Sequence, residues 1–238
     1  MVAATDRRKG NRPRVVGMPL VIEIVGPSGA GKTTLVKALE ESSDSICIIK
    51  GFQRRRNRSL MLRSSLPLVW CAAKHLLTMK VQNLKVLHVG LLLHLTKLHL
   101  KENLNRDFRT VVFDQGPIFM LAKLNWLGHR SHADAPIKLA DSERRYWSGH
   151  LDYIVILDAP DEVLVERIQR RHQPHIVKHE SETRIREFLR QWRRSIGETV
   201  QDFGVTEGPR VVRYDTSVQS LESITEAIVG LARSGGEE

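Results

Sequence analysis

Three short stretches of this chain carry residue types whose spacing suits phosphate chemistry. The first, Gly26-Pro27-Ser28-Gly29-Ala30-Gly31-Lys32-Thr33, fits G-x-x-x-x-G-K-[ST] at every fixed position. Glycines let the backbone wrap a phosphate so that several N–H groups point inward, and the following helix adds its own free N–H groups and partial positive charge. Gly26, Ser28, Gly29, Ala30, Gly31 and Thr34 are expected to line that nest, Lys32 to reach β- and γ-phosphates, and the Thr33 hydroxyl to ligate Mg²⁺. The second stretch, Asp114-Gln115-Gly116-Pro117, follows an apolar run. A carboxylate there could hold Mg²⁺ through water or accept a proton from an attacking hydroxyl, and Gln115 would face the acceptor. An Asp at a strand end is also a common turn or cap residue. The third stretch holds Arg167, Arg170 and Arg171. Arg167 and Arg171 are four apart, share a helix face and lead into a polar loop over 172–180 that could fold over phosphates as a lid. Arg170 is expected to assist in holding the nucleotide. The bland alternative for all three is the preference of arginine for the last turn of a helix.

Strands must carry these groups. Apolar runs at Leu20–Val25, 45–49, 110–113, 153–157 and 210–214 read as five strands, the last four separated by segments long enough for helices. That alternation predicts a parallel sheet covered on both faces, with ligands beyond the carboxyl ends of the strands. The polar residues after each strand therefore merit attention. Lys50 and Gly51 precede four arginines in five positions over 54–58, of which Arg54, Arg55 and Arg58 are candidates to clamp an anionic acceptor. A solvated basic loop is the alternative. Asp161 reads as a helix N-cap. Asp215 and Thr216, after the last strand, are expected to frame the base of a nucleotide.

Between 59 and 105 the chain reads as two or three helices with a stripe of Leu77, Val81, Leu84, Leu91, Leu95 and Leu98, widened by Leu87 and Leu92. The stripe suits a helical layer on the sheet or a homodimer face; a membrane-surface helix is a weaker reading. His75, His88, His94 and His99 are 13, 6 and 5 apart, which does not stack them on one face as metal ligands. Cys47 and Cys71 sit among apolar residues without metal spacing, as small core residues of a reducing compartment.

The formal charge is +10 over 238 residues and is unevenly placed: +4 in 1–14, −1 in 15–51, +9 in 52–108 and −2 in 109–238. Local positive charge usually faces a polyanion, a phosphorylated ligand or a membrane surface. No apolar secretory core precedes the first strand, and the longest run free of Lys, Arg, Asp and Glu in the leucine-rich part is 86–96, far short of the ~20 residues a bilayer needs. The expected organisation is a flexible basic leader over 1–18, one domain over 19–233 with a basic helical acceptor-side segment at 52–108 and a lid at 167–180, and a disordered tail at 234–238, in the cytoplasm.

GPSGAGKTT, VVFDQGP, LDAPDEVLVERIQRR and VVRYDTS, in this order, resemble the thymidylate kinase-like and deoxynucleoside kinase-like P-loop kinases over about 20–232. The resemblance implies an α/β P-loop NTPase with a five-stranded parallel sheet, a helical substrate-side insertion and a short lid. It implies ATP phosphates and Mg²⁺ on Gly31, Lys32 and Thr33, Asp114 as the carboxylate beside the acceptor, and Arg167 and Arg171 in the lid. Two departures fall on the acceptor side: Gln115 stands where thymidylate kinases have Arg, and Lys50-Gly51 where deoxynucleoside kinases carry a Glu.

The leading expectation is an ATP- and Mg²⁺-dependent kinase of a small acceptor, anionic by the charge pattern. A kinase of a sugar, antibiotic or polynucleotide end is the alternative in the same chemistry. Only Phe52, Trp70 and Phe108 are aromatic in the basic segment, which is thin for base stacking and argues against nucleic acid. A nucleotide-binding switch without an acceptor is the alternative from another class; the chain lacks the Asn-Lys-x-Asp guanine signature.

Overall fold

Alternation along the first strand sets the layers. In the computed structural model, which describes residues 18–50, 84–104, 106, 108–128, 134–203 and 208–234, β1 (Leu20–Val25) is buried throughout. Its Leu20, Ile22 and Ile24 enter one hydrophobic core, and Val21 and Val25 enter another on the opposite face. Glu23 shares the second face and is fully buried, the single acid in an apolar strand.

Five parallel strands run in the order β2-β3-β1-β4-β5. They are β1, β2 (Ile46–Lys50), β3 (Thr110–Asp114), β4 (Tyr153–Asp158) and β5 (Arg210–Asp215). These match the five apolar runs to within a residue. Register aligns Ile24 with Asp114, Lys50 with Asp114, and Asp158 with Asp215, so the polar residues that close these strands stand along one edge.

One face is covered by α1 (Lys32–Ser42), α5 (Asp161–Arg170) and α7 (Leu221–Ser234), through Leu35, Leu39, Leu164, Ile168, Ile224 and Ile228. The other carries α2 (Leu84–Leu104), α3 (Pro117–Gly128) and α4 (Asp134–Ser148). Helix α6 (Glu182–Phe203) crosses between them: Ile185 and Leu189 belong to the first core, Trp192, Ile196, Val200 and Phe203 to the second. Helices on both faces of a parallel sheet are the expected α/β architecture.

Of the leucine stripe, Leu92 and Leu95 are buried, while Leu91 and Leu98 stay half-buried. Val89, Leu92, Leu93, Leu95 and Leu100 of α2 are buried, so the helix buries a broader surface than the stripe suggests. Leu77, Val81, the leader over 1–17, Arg54, Arg55, Arg58, Cys71 and the tail over 235–238 lie outside the described residues. Cys47 packs half-buried against the core, its thiol donating to the side-chain amide oxygen Oδ1 of Asn103 at 3.4 Å.

Two details differ from the sequence reading. Helix α4 was not anticipated, although Ala140, Glu143, Trp147 and Leu151 recur at steps of three and four and are all buried. Asp161 is the first residue of α5 rather than its cap; Pro160 takes the cap position, and the Asp161 carboxylate is held by Arg193 instead. Arg193 also donates to both Asp158 oxygens at 3.0 Å and to the Ala159 carbonyl at 2.7 Å, tying α6 to the end of β4.

Candidate functional site

The loop between β1 and α1 has the backbone its glycines allow. Gly26, Gly29 and Gly31 all have positive φ, at 149°, 87° and 84°. A Cβ at Gly26 would lie 2.1 Å from the Leu157 carbonyl oxygen of the neighbouring strand, so no side chain fits there. Gly31 is the left-handed N-cap of α1, and no side chain caps that helix. Its first N–H groups, with the positive end of the helix dipole, face the space above the sheet edge. Thr33 and Thr34 are exposed in that first turn.

Lys32 folds over the loop. Its ammonium donates to the carbonyls of Gly26 at 2.8 Å and Pro27 at 2.7 Å. Burial pushes its pKa down to about 8; Asp114 and Asp158 oppose the shift, while the Arg171 cation adds to it. Trp192 of α6 donates to the same Gly26 carbonyl at 3.4 Å, bracing the loop from behind.

Asp114, at the end of β3, is half-buried, and burial raises its carboxyl above the ordinary carboxylate range against the pull of Lys32 and Lys50. Gln115 follows with φ 61°, a left-handed conformation that costs about 1 kcal/mol or more for a residue with a Cβ. The turn is pinned from below by Glu23. Its carboxyl accepts the Ile118 N–H at 2.7 Å and the Phe119 N–H at 2.9 Å, capping α3 from the middle of β1. Burial drives Glu23 up to about 8, the three N–H groups of Phe119, Ile118 and Gly116 pull it down, and Asp114 adds to the rise. A Cβ on Gly116 would meet the Phe113 side chain at 2.6 Å and Glu23 at 3.0 Å, so the turn fits only a glycine there. Sequence reading passed over Glu23. A lone carboxylate in a strand buried on both faces needs partners, and that was the available signal.

Beside Asp114 a cleft opens between the ends of β2 and β3 and helix α2, lined by Lys50, Leu92, Thr96, His99, Gln115 and Met120 among others. Its walls mix polar and apolar groups in nearly equal measure around a space of about 20 Å³, room for about one water molecule. Lys50 is paired with Glu40.

The arginines divide. Arg167 donates to the Thr216 hydroxyl and carbonyl at 2.9 Å each and to the Gly29 carbonyl at 3.3 Å. It therefore joins α5, the phosphate loop and the loop after β5. Thr216 also donates to the Asp158 carbonyl at 3.2 Å. Asp215 organises its own turn by accepting from the Ser217 N–H and hydroxyl. Arg171 stands within electrostatic reach of Lys32 and of His175. Arg170, with a side chain 80% exposed, pairs with Glu166 along the solvent side of α5 and is not drawn into the site.

The segment after α5 lies over the phosphate loop: His175 Nε2 is 2.8 Å from the Ser28 hydroxyl. The His175 ring packs edge-on against Phe188, the first of a series that continues through Trp126 and Trp192 to Phe119. Sequence reading missed His175, a lone histidine in a polar loop that no local pattern singles out.

Mg²⁺ takes oxygen ligands and is commonly held by one or two protein groups plus substrate phosphates. The exposed Thr33 hydroxyl and the Asp114 carboxyl supply such a donor set. Among the described residues no group of three or more His, Cys, Asp or Glu could hold a metal alone, and none of their helices is long and apolar enough to cross a membrane.

No protein-family model and no curated protein sequence matches the chain. Solved structures do. Thymidylate kinase from Candida albicans superposes with TM-score 0.56 at 15% identity, over 92% of each chain. Deoxyadenosine kinase from M. mycoides with bound dATP gives 0.52 at 16% identity, over 88% of this chain and 98% of that one. The YorR protein of Bacillus subtilis, in complex with phosphorylated GDP, gives 0.51 at 15% identity, over 92% and 98%. The chain thus has the thymidylate and deoxynucleoside kinase-like P-loop fold.

Proposed function

We propose that this chain is an ATP- and Mg²⁺-dependent kinase that moves the γ-phosphoryl group to a nucleoside, a nucleotide or a similar hydroxyl or phosphate acceptor. The observation that carries the proposal is the convergence of Lys32, Asp114 and Arg171 at an uncapped helix N-terminus bounded by three positive-φ glycines. A nest of N–H groups flanked by fixed cations suits a triphosphate, and a carboxyl across from it suits the attacking group.

In the proposed reaction, a lone pair on the acceptor oxygen attacks the γ-phosphorus while the bond to the β–γ bridging oxygen breaks. Its electrons leave on ADP. For a hydroxyl acceptor the proton passes to Asp114, whose raised affinity for protons helps it serve as base. Lys32 and Arg171 offset charge on the phosphoryl oxygens. Held by Thr33 and, through water, by Asp114, Mg²⁺ would supply charge neutralisation and alignment of the phosphates, leaving the Asp114 carboxylate for the acceptor proton. Arg167 bound to Thr216, and Asp215 organising the turn after β5 through Ser217, would frame the base of the nucleotide. Lys50, Thr96, His99 and Gln115, around the small cleft beside Asp114, would form one wall of the acceptor site.

The test is ADP release from Mg·ATP across a panel of nucleosides, nucleoside monophosphates, sugars and hydroxylated antibiotics. Stimulation by at least one acceptor is expected, absent in a folded Lys32→Ala variant. Turnover that no acceptor stimulates, or a Lys32→Ala variant of normal rate, would overturn it.

A further inference from the structure

His175 is placed oddly for a surface loop residue. Its Nε2 lies 2.8 Å from Ser28 inside the phosphate loop, and its Nδ1 accepts a long bond from the Val177 N–H at 3.4 Å. A ring nitrogen that accepts is unprotonated, so the proton of the neutral ring sits on Nε2 and is donated to Ser28. A second proton on Nδ1 would face the Val177 N–H directly. The two contacts together suit a neutral imidazole.

The groups around the ring are cationic or uncharged. From its own segment comes Arg171, from α1 comes Lys32, from α6 the apolar edge of Phe188, and from the phosphate loop the Ser28 hydroxyl. Burial lowers the pKa of His175, and the two cations lower it further. Asp114 and Asp158 face Lys32 and do not act on His175. Lys32 and Arg171 together offer positive charge to whatever enters between the segment and the loop.

We propose that His175 is a phosphate ligand carried on the segment over the loop: neutral on Ser28 in the free protein, it takes a proton from solvent and moves its imidazolium onto a phosphate oxygen of the incoming nucleoside triphosphate. This rests on the phosphate-loop reading above and adds a residue to it. A polyanion reverses the local field, so the bound ring favours the charge that the free ring disfavours. The hydrogen bond it then makes is charge-assisted on both sides. Triphosphate binding thereby becomes coupled to uptake of a proton.

Calorimetric titration with the non-hydrolysable analogue Mg·AMP-PNP, at one pH in two buffers of different ionisation heat, reads that proton directly. At pH about 7.5, where the free ring is neutral and the phosphate-bound ring charged, wild type should take up a substantial fraction of one proton per nucleotide, and His175→Gln close to none. Affinity of His175→Gln should fall roughly tenfold at pH about 6.5, with the loss shrinking toward pH about 8.5. His175→Ala should match His175→Gln, with both variants keeping the wild-type circular dichroism and melting temperature. Equal proton uptake in wild type and His175→Gln, or an affinity loss independent of pH, would overturn the role of His175 and leave the kinase reading intact. Absence of binding by wild type would overturn both.

Discussion

The two ends of the site are made from different materials. In the proposed site, the β1–α1 junction would recognise phosphate through its backbone, with three positive-φ glycines, an uncapped helix and one lysine folded across the loop. At the β2–β3 edge of that proposed site, recognition would fall to side chains: Asp114, Gln115, Lys50, Thr96 and His99, on a strand end, a strained turn, a second strand and a separate helix. A backbone nest takes any phosphate chain of the right length. Side chains drawn from several elements choose a particular acceptor. Damage to the first end should cost nucleotide binding as a whole, and damage to the second should cost acceptor chemistry by an amount that depends on the residue changed.

Asp114→Asn should break the chemistry while sparing the nest. With the base removed, the acceptor-stimulated rate should fall by roughly 10²–10⁴. Nucleotide affinity, read by calorimetry, should change far less. A variant with equal losses in both would mean that Asp114 only shapes the nucleotide site.

Gly26→Ala probes the nest itself. A methyl group would collide with the Leu157 carbonyl in a conformation alanine resists, so the fold should lose about 3 kcal/mol, read by denaturant unfolding. Unchanged stability would show that the loop can relax away from β4.

Glu23 links the two ends from below. Its carboxyl pKa is raised to about 8, so the folded chain holds a proton there that the unfolded chain releases near the ordinary value of 4.5. That contribution is full at pH below about 4.5 and is lost as pH rises through about 8. Glu23→Gln should remove this slope from the pH dependence of stability between about 5 and 9. An unaltered slope would place the titration elsewhere.

The smallest effect is expected at Lys50. Lys50→Met should raise KM for an anionic acceptor several-fold and leave Mg·ATP binding untouched, since the residue lines the cleft and also pairs with Glu40. Equal KM values with and without the charge would remove it from the acceptor site.

The same division explains what could be read from the sequence. Loop glycines and a lysine at fixed spacing encode a local conformation, so the nest, its strand and its helix were legible before any fold was known. Asp114 was legible because strand ends share an edge in a parallel sheet. Helix spacing puts Arg167 among the lid groups, yet its guanidinium is held by Thr216 and Gly29, contacts that span 49 and 138 residues. Glu23 capping α3 and His175 on Ser28 likewise join residues 95 and 147 apart. No local pattern carries information over such distances. The arginines at 54, 55 and 58 lie outside the described residues, so the acceptor end stays defined by its near wall alone.

One titration reaches the centre of this reading: Mg·ATP added to the folded wild-type chain and to Lys32→Ala, followed by heat release. Saturable binding at one site per chain, lost or weakened at least a hundredfold in the variant, is the expected result, because a charged hydrogen bond and the loop's grip on the phosphates go together. No heat of binding to well-folded wild type, or equal affinity in the two proteins, would contradict it.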